Sequence, residues 1–190
     1  PYGNPLAATN SITFTTGDYV PSAYLAMPWA PSLFRYGGPQ EFFVSTVNIG
    51  SVDLELYRLA EREYLRQESQ GTGWNNYQPA AVDQIRKWTV SADSSRNENI
   101  LTPVELADAT GNSLPTGIYF LGMKANAARY ESIWNDSRIL IVGGSNLTLK
   151  STLNKAVAWL TGLNSGTPEG GVPVRFYDNS FNLIGEGVTG

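Results

Sequence analysis

Asp53 and Glu55 are the carboxylate pair that the sequence offers for acid–base chemistry. Two residues apart on a strand, they share one face. Such pairs hydrolyse glycosidic bonds when a cleft raises the pKa of one member. The same spacing on an open strand face serves only solubility, and Val52, Leu54 and Leu56, alternating with them, point to that plainer reading. A second oxygen-rich stretch carries Ser91, Asp93, Ser94, Ser95, Asn97, Glu98 and Asn99. These groups suit a hard cation such as calcium, but they lack the Asp-x-Asp-x-Asp-Gly order of a calcium loop and read as a polar loop. Composition closes the other routes. The 190 residues include no His and no Cys, so there is no thiol nucleophile, imidazole base, Ser-His-Asp triad, ordinary zinc site or disulfide.

Gly71-Thr72-Gly73, followed by Trp74, Asn75, Asn76 and Tyr77, has the glycines of a phosphate cradle. It lacks the Gly-Lys-Ser ending and the following helix, which leaves a flexible loop. Five Trp, ten Tyr and seven Phe are numerous enough to ask what exposed rings would do. Trp29, Trp74 and Tyr77 fall in connectors and could form a platform for a sugar or a partner protein; the alternative is that they plug sandwich ends and seams. Lys150 or Lys155 with Asn179 or Asn182 supplies the residue types of an isopeptide cross-link. Asn135-Asp136-Ser137 and Asn146-Leu147-Thr148 match the glycosylation acceptor pattern. Thirteen Lys and Arg against 17 Asp and Glu give a net charge of −4, the wrong sign for a nucleic-acid partner. Arg58, Arg62 and Arg66 form a basic line at helical spacing, interleaved with Glu61, Glu63 and Glu68, which marks a solvated helix face. No apolar run reaches the length of a membrane-spanning helix. No catalytic, cofactor-binding or metal-ligating residue is assigned.

The elements that would position these groups are strands. Apolar residues recur with period 2 in short runs bounded by Gly, Pro, Asn and Ser. Strands are expected at residues 11–15, 41–47, 52–57, 85–90, 100–106, 118–125, 139–142, 147–150, 156–160, 172–177 and 182–186. A brief helix is expected at 60–68. Many short strands without alternating long helices give an all-β fold of antiparallel Ig-like sandwiches with one short helix insertion. Residues 19–39, with Pro21, Pro28, Pro31 and Pro39, read as an extended connector and not as a strand pair. A second break is expected near residues 125–137. The expected division is residues 1–18 as the end of a preceding domain, 19–130 as one sandwich, and 135–190 as a second block with too few strands for a closed core. The opening at Pro1 without Met suggests an excised piece.

Several stretches carry a resemblance. Leu114-Pro115-Thr116-Gly117-Ile118-Tyr119 reads as the turn into a late strand. Residues 47–59 read as a hairpin whose second strand ends in Tyr57-Arg58. In residues 139–187, Gly170-Gly171-Val172-Pro173-Val174 and Tyr177-Asp178 mark another strand entry. In this order they resemble the macroglobulin-like domains of bacterial alpha-2-macroglobulins. Gly3-Asn4-Pro5-Leu6 and residues 11–17 resemble the closing strands of the bacterial Ig-like domain that commonly precedes them. The resemblance implies macroglobulin-like β-sandwiches and an extracytoplasmic, non-enzymatic module of a broad-spectrum endopeptidase inhibitor. In that family, bait cleavage by a protease triggers a rearrangement that cages the attacker. The implied partners are neighbouring domains of the same parent chain and, through the parent, target proteases. The family's Cys-x-Glu-Gln thioester motif is absent from this chain, and no bait segment is recognisable. The alternative is a cell-surface adhesin or carbohydrate-binding Ig-like sandwich, and a hydrolase centred on Asp53 or Glu55 comes last.

Overall fold

A computed structural model describes residues 11–71, 73–74, 76–92, 95–127 and 132–190. Gly3 to Leu6, Thr72, Asn75, Asp93 and Ser94 lie outside the described residues. Twelve strands form, with one α-helix among the described residues: β1 (Ser22–Leu25), β2 (Ser32–Arg35), β3 (Glu41–Val47), β4 (Ser51–Leu59), α1 (Glu61–Gln70), β5 (Gln84–Ser91), β6 (Asn99–Glu105), β7 (Gly117–Ala127), β8 (Ser132–Gly143), β9 (Ser145–Ser151), β10 (Ala156–Gly162), β11 (Pro173–Tyr177) and β12 (Leu183–Val188). The protein is all-β, as its period-2 patterning requires.

Two sheets make a sandwich. One runs β1-β3-β6 and the other β2-β8-β7-β4-β5. Alternation places Val52, Leu54 and Leu56 of β4 and Tyr119, Leu121, Met123 and Ala125 of β7 inward, where they meet Leu25, Phe42, Val44 and Val104 of the smaller sheet in one buried core. Fully burying side chains of this kind stabilises by about 1.5–3 kcal/mol each. Tyr119 is wholly buried, and its hydroxyl donates to the Pro115 carbonyl at 2.6 Å. Gln40, also buried, clamps the same loop by donating to the Leu114 carbonyl (3.1 Å) and accepting from its N–H (2.8 Å).

Four expectations are corrected. Residues 11–15 form no strand; Ile12 and Phe14 are exposed, and β-propensity without a partner strand does not suffice. Residues 19–39 are more than a connector, since they supply one edge strand to each sheet. β1 pairs with β3, and β2 pairs with β8 in parallel, a departure from wholly antiparallel pairing. The prolines stand outside both strands, where a missing N–H costs no ladder bond. The expected break near residues 125–137 is instead the β7–β8 hairpin, which pairs continuously out to Gly117↔Val142. A boundary at residue 135 would cut through β8, which runs to Gly143. Finally, Arg58 belongs to β4 and donates to the Thr116 carbonyl at 3.3 Å, so it is not part of a helical basic line with Arg62 and Arg66.

Asp136 and Arg138 explain the misplaced boundary. Asp136, within the stretch that reads as a break, forms a buried ion pair with Arg138, their side chains 7% and 2% exposed. Asp136 Oδ2 accepts the Leu25 N–H at 2.8 Å, and the Arg138 guanidinium donates to the Leu25 carbonyl at 3.2 Å. The pair therefore ties β1 to β8 across the two sheets.

Beyond Gly143 the architecture changes. β9 with β10 and β11 with β12 form two antiparallel hairpins. No apolar side chain from residue 144 onward is buried, and Leu149, Val157, Trp159 and Ile184 are more than half exposed.

Candidate functional site

The outward face of the five-stranded sheet holds the chemistry-bearing residues. On β4 the residues alternating with the core are Asp53, Glu55 and Tyr57. Their neighbours are Thr89, Lys87 and Gln84 on β5, and Lys124, Gly122 and Phe120 on β7. Each polar group finds a partner across the strands. Thr89 donates to Asp53 at 2.6 Å, Lys87 Nζ donates to Glu55 Oε1 at 2.7 Å, and the Tyr57 hydroxyl donates to Glu55 Oε2 at 2.9 Å while accepting from Gln84 at 2.9 Å. Lys124 Nζ lies 3.8 Å from Glu55 Oε2. The Lys87 hydrogen bond, helped by Tyr57 and Lys124, holds the Glu55 carboxyl below its ordinary value against the opposing effect of burial. Burial first, then Glu55, pushes the Tyr57 phenol up. A glycosidase acid needs the opposite shift; Glu55 is an anion with both oxygens engaged, and its arrangement with Asp53 does not fit hydrolysis.

A lid covers one end of this face. The helix α1 stops at Gly71, whose backbone is left-handed (φ 62°), and Gly73 is left-handed as well (φ 69°). These glycines reverse the chain, and that accounts for the Gly-x-Gly pattern without a phosphate. The reversal sets Trp74 against Tyr64, with centroids 5.9 Å apart and planes 10° apart, and edge-on against Tyr77 at 5.1 Å. Tyr77 in turn meets Phe120 at 5.3 Å. With Tyr57, Leu59, Ile118 and Ile139 these rings make a second cluster on the outer side of the sheet. The Trp74 indole N–H donates to Glu68 at 2.8 Å.

Trp29 is elsewhere. It lies over the Arg138 guanidinium at 3.8 Å, and Arg138 points to the side of β8 opposite Ile139. Trp29, Trp74 and Tyr77 are thus not one platform; the last two act as the plug that the sequence offered as the alternative.

Beside the lid the face opens into a groove of about 470 Å³. Its floor is Gly122; a Cβ there would stand 3.3 Å from the Phe120 ring. Tyr77 and Gln78 border it on the lid side, Glu55 and Lys124 along the strands, and Asn135 beyond.

The remaining sequence candidates are dispersed. Asn97 serves the backbone: it and Asn48 both adopt left-handed conformations (φ 62° and 54°), Asn97 N–H donates to Asn48 Oδ1 at 2.8 Å, and Asn97 Oδ1 accepts from Tyr19 N–H at 2.8 Å. Asn99 accepts from Ser45 at 2.6 Å. Among the described residues no group of three or more His, Cys, Asp or Glu is placed to hold a metal ion. Asn182 donates to Asp178 within its own hairpin turn (2.9 Å). Asn135 and Asn146 are both exposed.

One feature escaped sequence reasoning although its signal is present. Asp108-x-Thr110-x-Asn112 and Asp178-x-Ser180-x-Asn182 build the same turn twice. In each, the Asp Oδ1 accepts two backbone N–H groups, from Thr110 and Asn112 (2.8 and 2.9 Å) and from Ser180 and Asn182 (2.8 Å each). The fourth residue is left-handed in both: Gly111 in the first turn and Phe181 in the second.

No family model and no curated protein sequence matches the chain. Solved structures do match. The crystal structure of native alpha-2-macroglobulin from Escherichia coli spanning domains MG0-NIE-MG1 aligns with a TM-score of 0.67 at 17% identity, over 92% of this chain and 56% of that one. The structure from the same organism spanning NIE-MG1 gives 0.63 at 15% identity, over 88% and 82%. Salmonella alpha-2-macroglobulin reacted with methylamine gives 0.60 at 16% identity, over 92% of this chain but 10% of that one. The protein therefore shares its fold with part of the bacterial alpha-2-macroglobulins, and it corresponds to about half of the first structure and a tenth of the last.

Proposed function

We propose that this chain is a non-enzymatic structural module of a bacterial alpha-2-macroglobulin-like endopeptidase inhibitor acting outside the cytoplasm. The observation that carries the reading is the fold correspondence over 92% of the chain to a structure spanning consecutive domains. The residues agree with it. Asp53 is held by a hydrogen bond and Glu55 by ion pairs and hydrogen bonds, and Trp74 and Tyr77 pack against the sheet while Trp29 lies apart from them over Arg138. On this reading residues 19–143 are one complete β-sandwich domain, and residues 144–190 contribute to a second, macroglobulin-like one. Residues 1–18 belong to a preceding Ig-like domain. Neighbouring domains of the parent chain cover the exposed apolar side chains of β9 to β12, and target proteases meet the parent and not this module.

The test is a substrate-size assay on the full-length protein that carries this segment. Trypsin incubated with it is expected to lose cleavage of casein while keeping cleavage of a small chromogenic peptide, because a caged protease admits only small substrates. Equal loss on both substrates, or loss on neither, overturns the proposal.

A further inference from the structure

We propose that the groove over Gly122 is a binding site for a neutral saccharide, of the size of one or two hexose rings. This inference is independent of the inhibitor reading. Its volume of about 470 Å³ falls in the range of small-ligand sites. The absence of a side chain at residue 122 is what opens it: on β4, β7 and β8 the residues in this row are Glu55, Gly122 and Ser137, and the glycine leaves the backbone bare beside the Phe120 ring.

Charge and hydrogen bonding select the ligand class. Glu55 already accepts from Lys87 and Tyr57, so the groove holds no unsatisfied anion to attract a cation. Lys124 faces that same carboxylate, which weakens the site for an anion. A peptide would bind best by adding a strand; β4 and β7, which floor the groove, have a strand on both sides there, and β8 is open at Asn135–Ser137, since β2 reaches it only at Leu140–Gly143, so strand addition falls at the rim of the groove and is a separate outcome of the test. What remains is a half-buried Tyr77 ring and the side-chain amides of Gln78 and Asn135, both exposed and forming no side-chain hydrogen bond among the described residues. Planar amides that both donate and accept, set beside an aromatic ring, match the alternating hydroxyls and C–H faces of a sugar.

The experiment is backbone amide NMR of the whole chain titrated with N,N′-diacetylchitobiose and, separately, maltose. Saturable shifts are expected at Gly122, Lys124, Gln78 and Asn135 with at least one sugar, at a Kd on the order of 1 mM. Gly122→Ala, which fills the floor, and Asn135→Ala, at an exposed position, are each expected to weaken binding about ten-fold with the melting temperature of Asn135→Ala unchanged. Should Gly122→Ala fail to fold, Asn135→Ala and Gln78→Ala carry the test. Absence of shifts with both sugars, shifts spread away from the groove, or saturable shifts with a proline-rich decapeptide but neither sugar overturns the proposal.

Discussion

Removing either partner of the Asp136–Arg138 pair leaves a lone buried charge, and Asp136 additionally holds the Leu25 N–H. Asp136→Ala and Arg138→Met are each expected to cost about 3–5 kcal/mol by urea denaturation. The double variant Asp136→Leu with Arg138→Met is expected to be more stable than either single one, since it buries no uncompensated charge. Asp108 makes a pH prediction. Hydrogen bonds from Thr110 and Asn112 lower its carboxyl to about 2, the Thr110 hydroxyl contributing most. A depressed folded pKa stabilises fully above the unfolded value of about 3.9 and loses that contribution as pH falls toward 2. Carbon-13 NMR of the Asp108 carboxyl is expected to show its midpoint near 2, and a midpoint near 4 would remove the turn's contribution. Asp178, engaged chiefly by Asn182, moves in the same direction. In that second turn Phe181 occupies the left-handed position that Gly111 fills in the first (φ 63° against 85°). Phe181→Gly is expected to relieve about 1 kcal/mol, read as slower amide exchange in the β11–β12 hairpin. A faster exchange there would mean that the Phe181 ring contributes more than its backbone costs.

At the scale of elements, Trp74 is what holds α1 to the sheet, because the helix itself buries no residue. Trp74→Ala is expected to raise amide exchange across Glu61–Gln70 while β4 and β7 keep theirs, at a cost of roughly 1–3 kcal/mol for the lost ring contacts. Equal exchange in α1 before and after would place the anchor elsewhere. The elements were mostly legible because period-2 patterning is a direct image of a sandwich: Val52, Leu54 and Leu56 announced β4 and its facing. What failed did so for identifiable reasons. β2 is four residues long and depends on a partner, β8, that the local pattern does not show. β8 disguised itself by placing an ion pair where a strand of this kind usually carries apolar groups. The carboxylates Asp53 and Glu55 were correctly placed outward, yet the groove beside them was invisible, since its defining residue is a glycine and its wall comes from a loop folded back by Gly71 and Gly73. Pairing across strands, and not the strands themselves, decides such a site.

At the scale of the molecule, the buried core stops at Val142. Hydrogen exchange is therefore expected to separate the chain into two classes, slow through β4, β7 and β8 and fast from residue 144 onward. Uniformly slow exchange would show that the hairpins β9 to β12 bury more than their exposed side chains indicate. The parallel β2–β8 pair carries a consequence for the order of events. β1 can pair with β3 early, yet the bond from Leu25 to Asp136 spans 111 residues, and β2 has no partner strand until β8 exists. A chain emerging from the ribosome or a translocon must keep β2 unpaired until residue 143 has followed. Contacts at such separation slow the final step and lengthen exposure of unpaired edges. Nascent chains arrested before β8 should accordingly be digested by protease within β2, while those that include it resist, so that the last strand of the sandwich is also its latch.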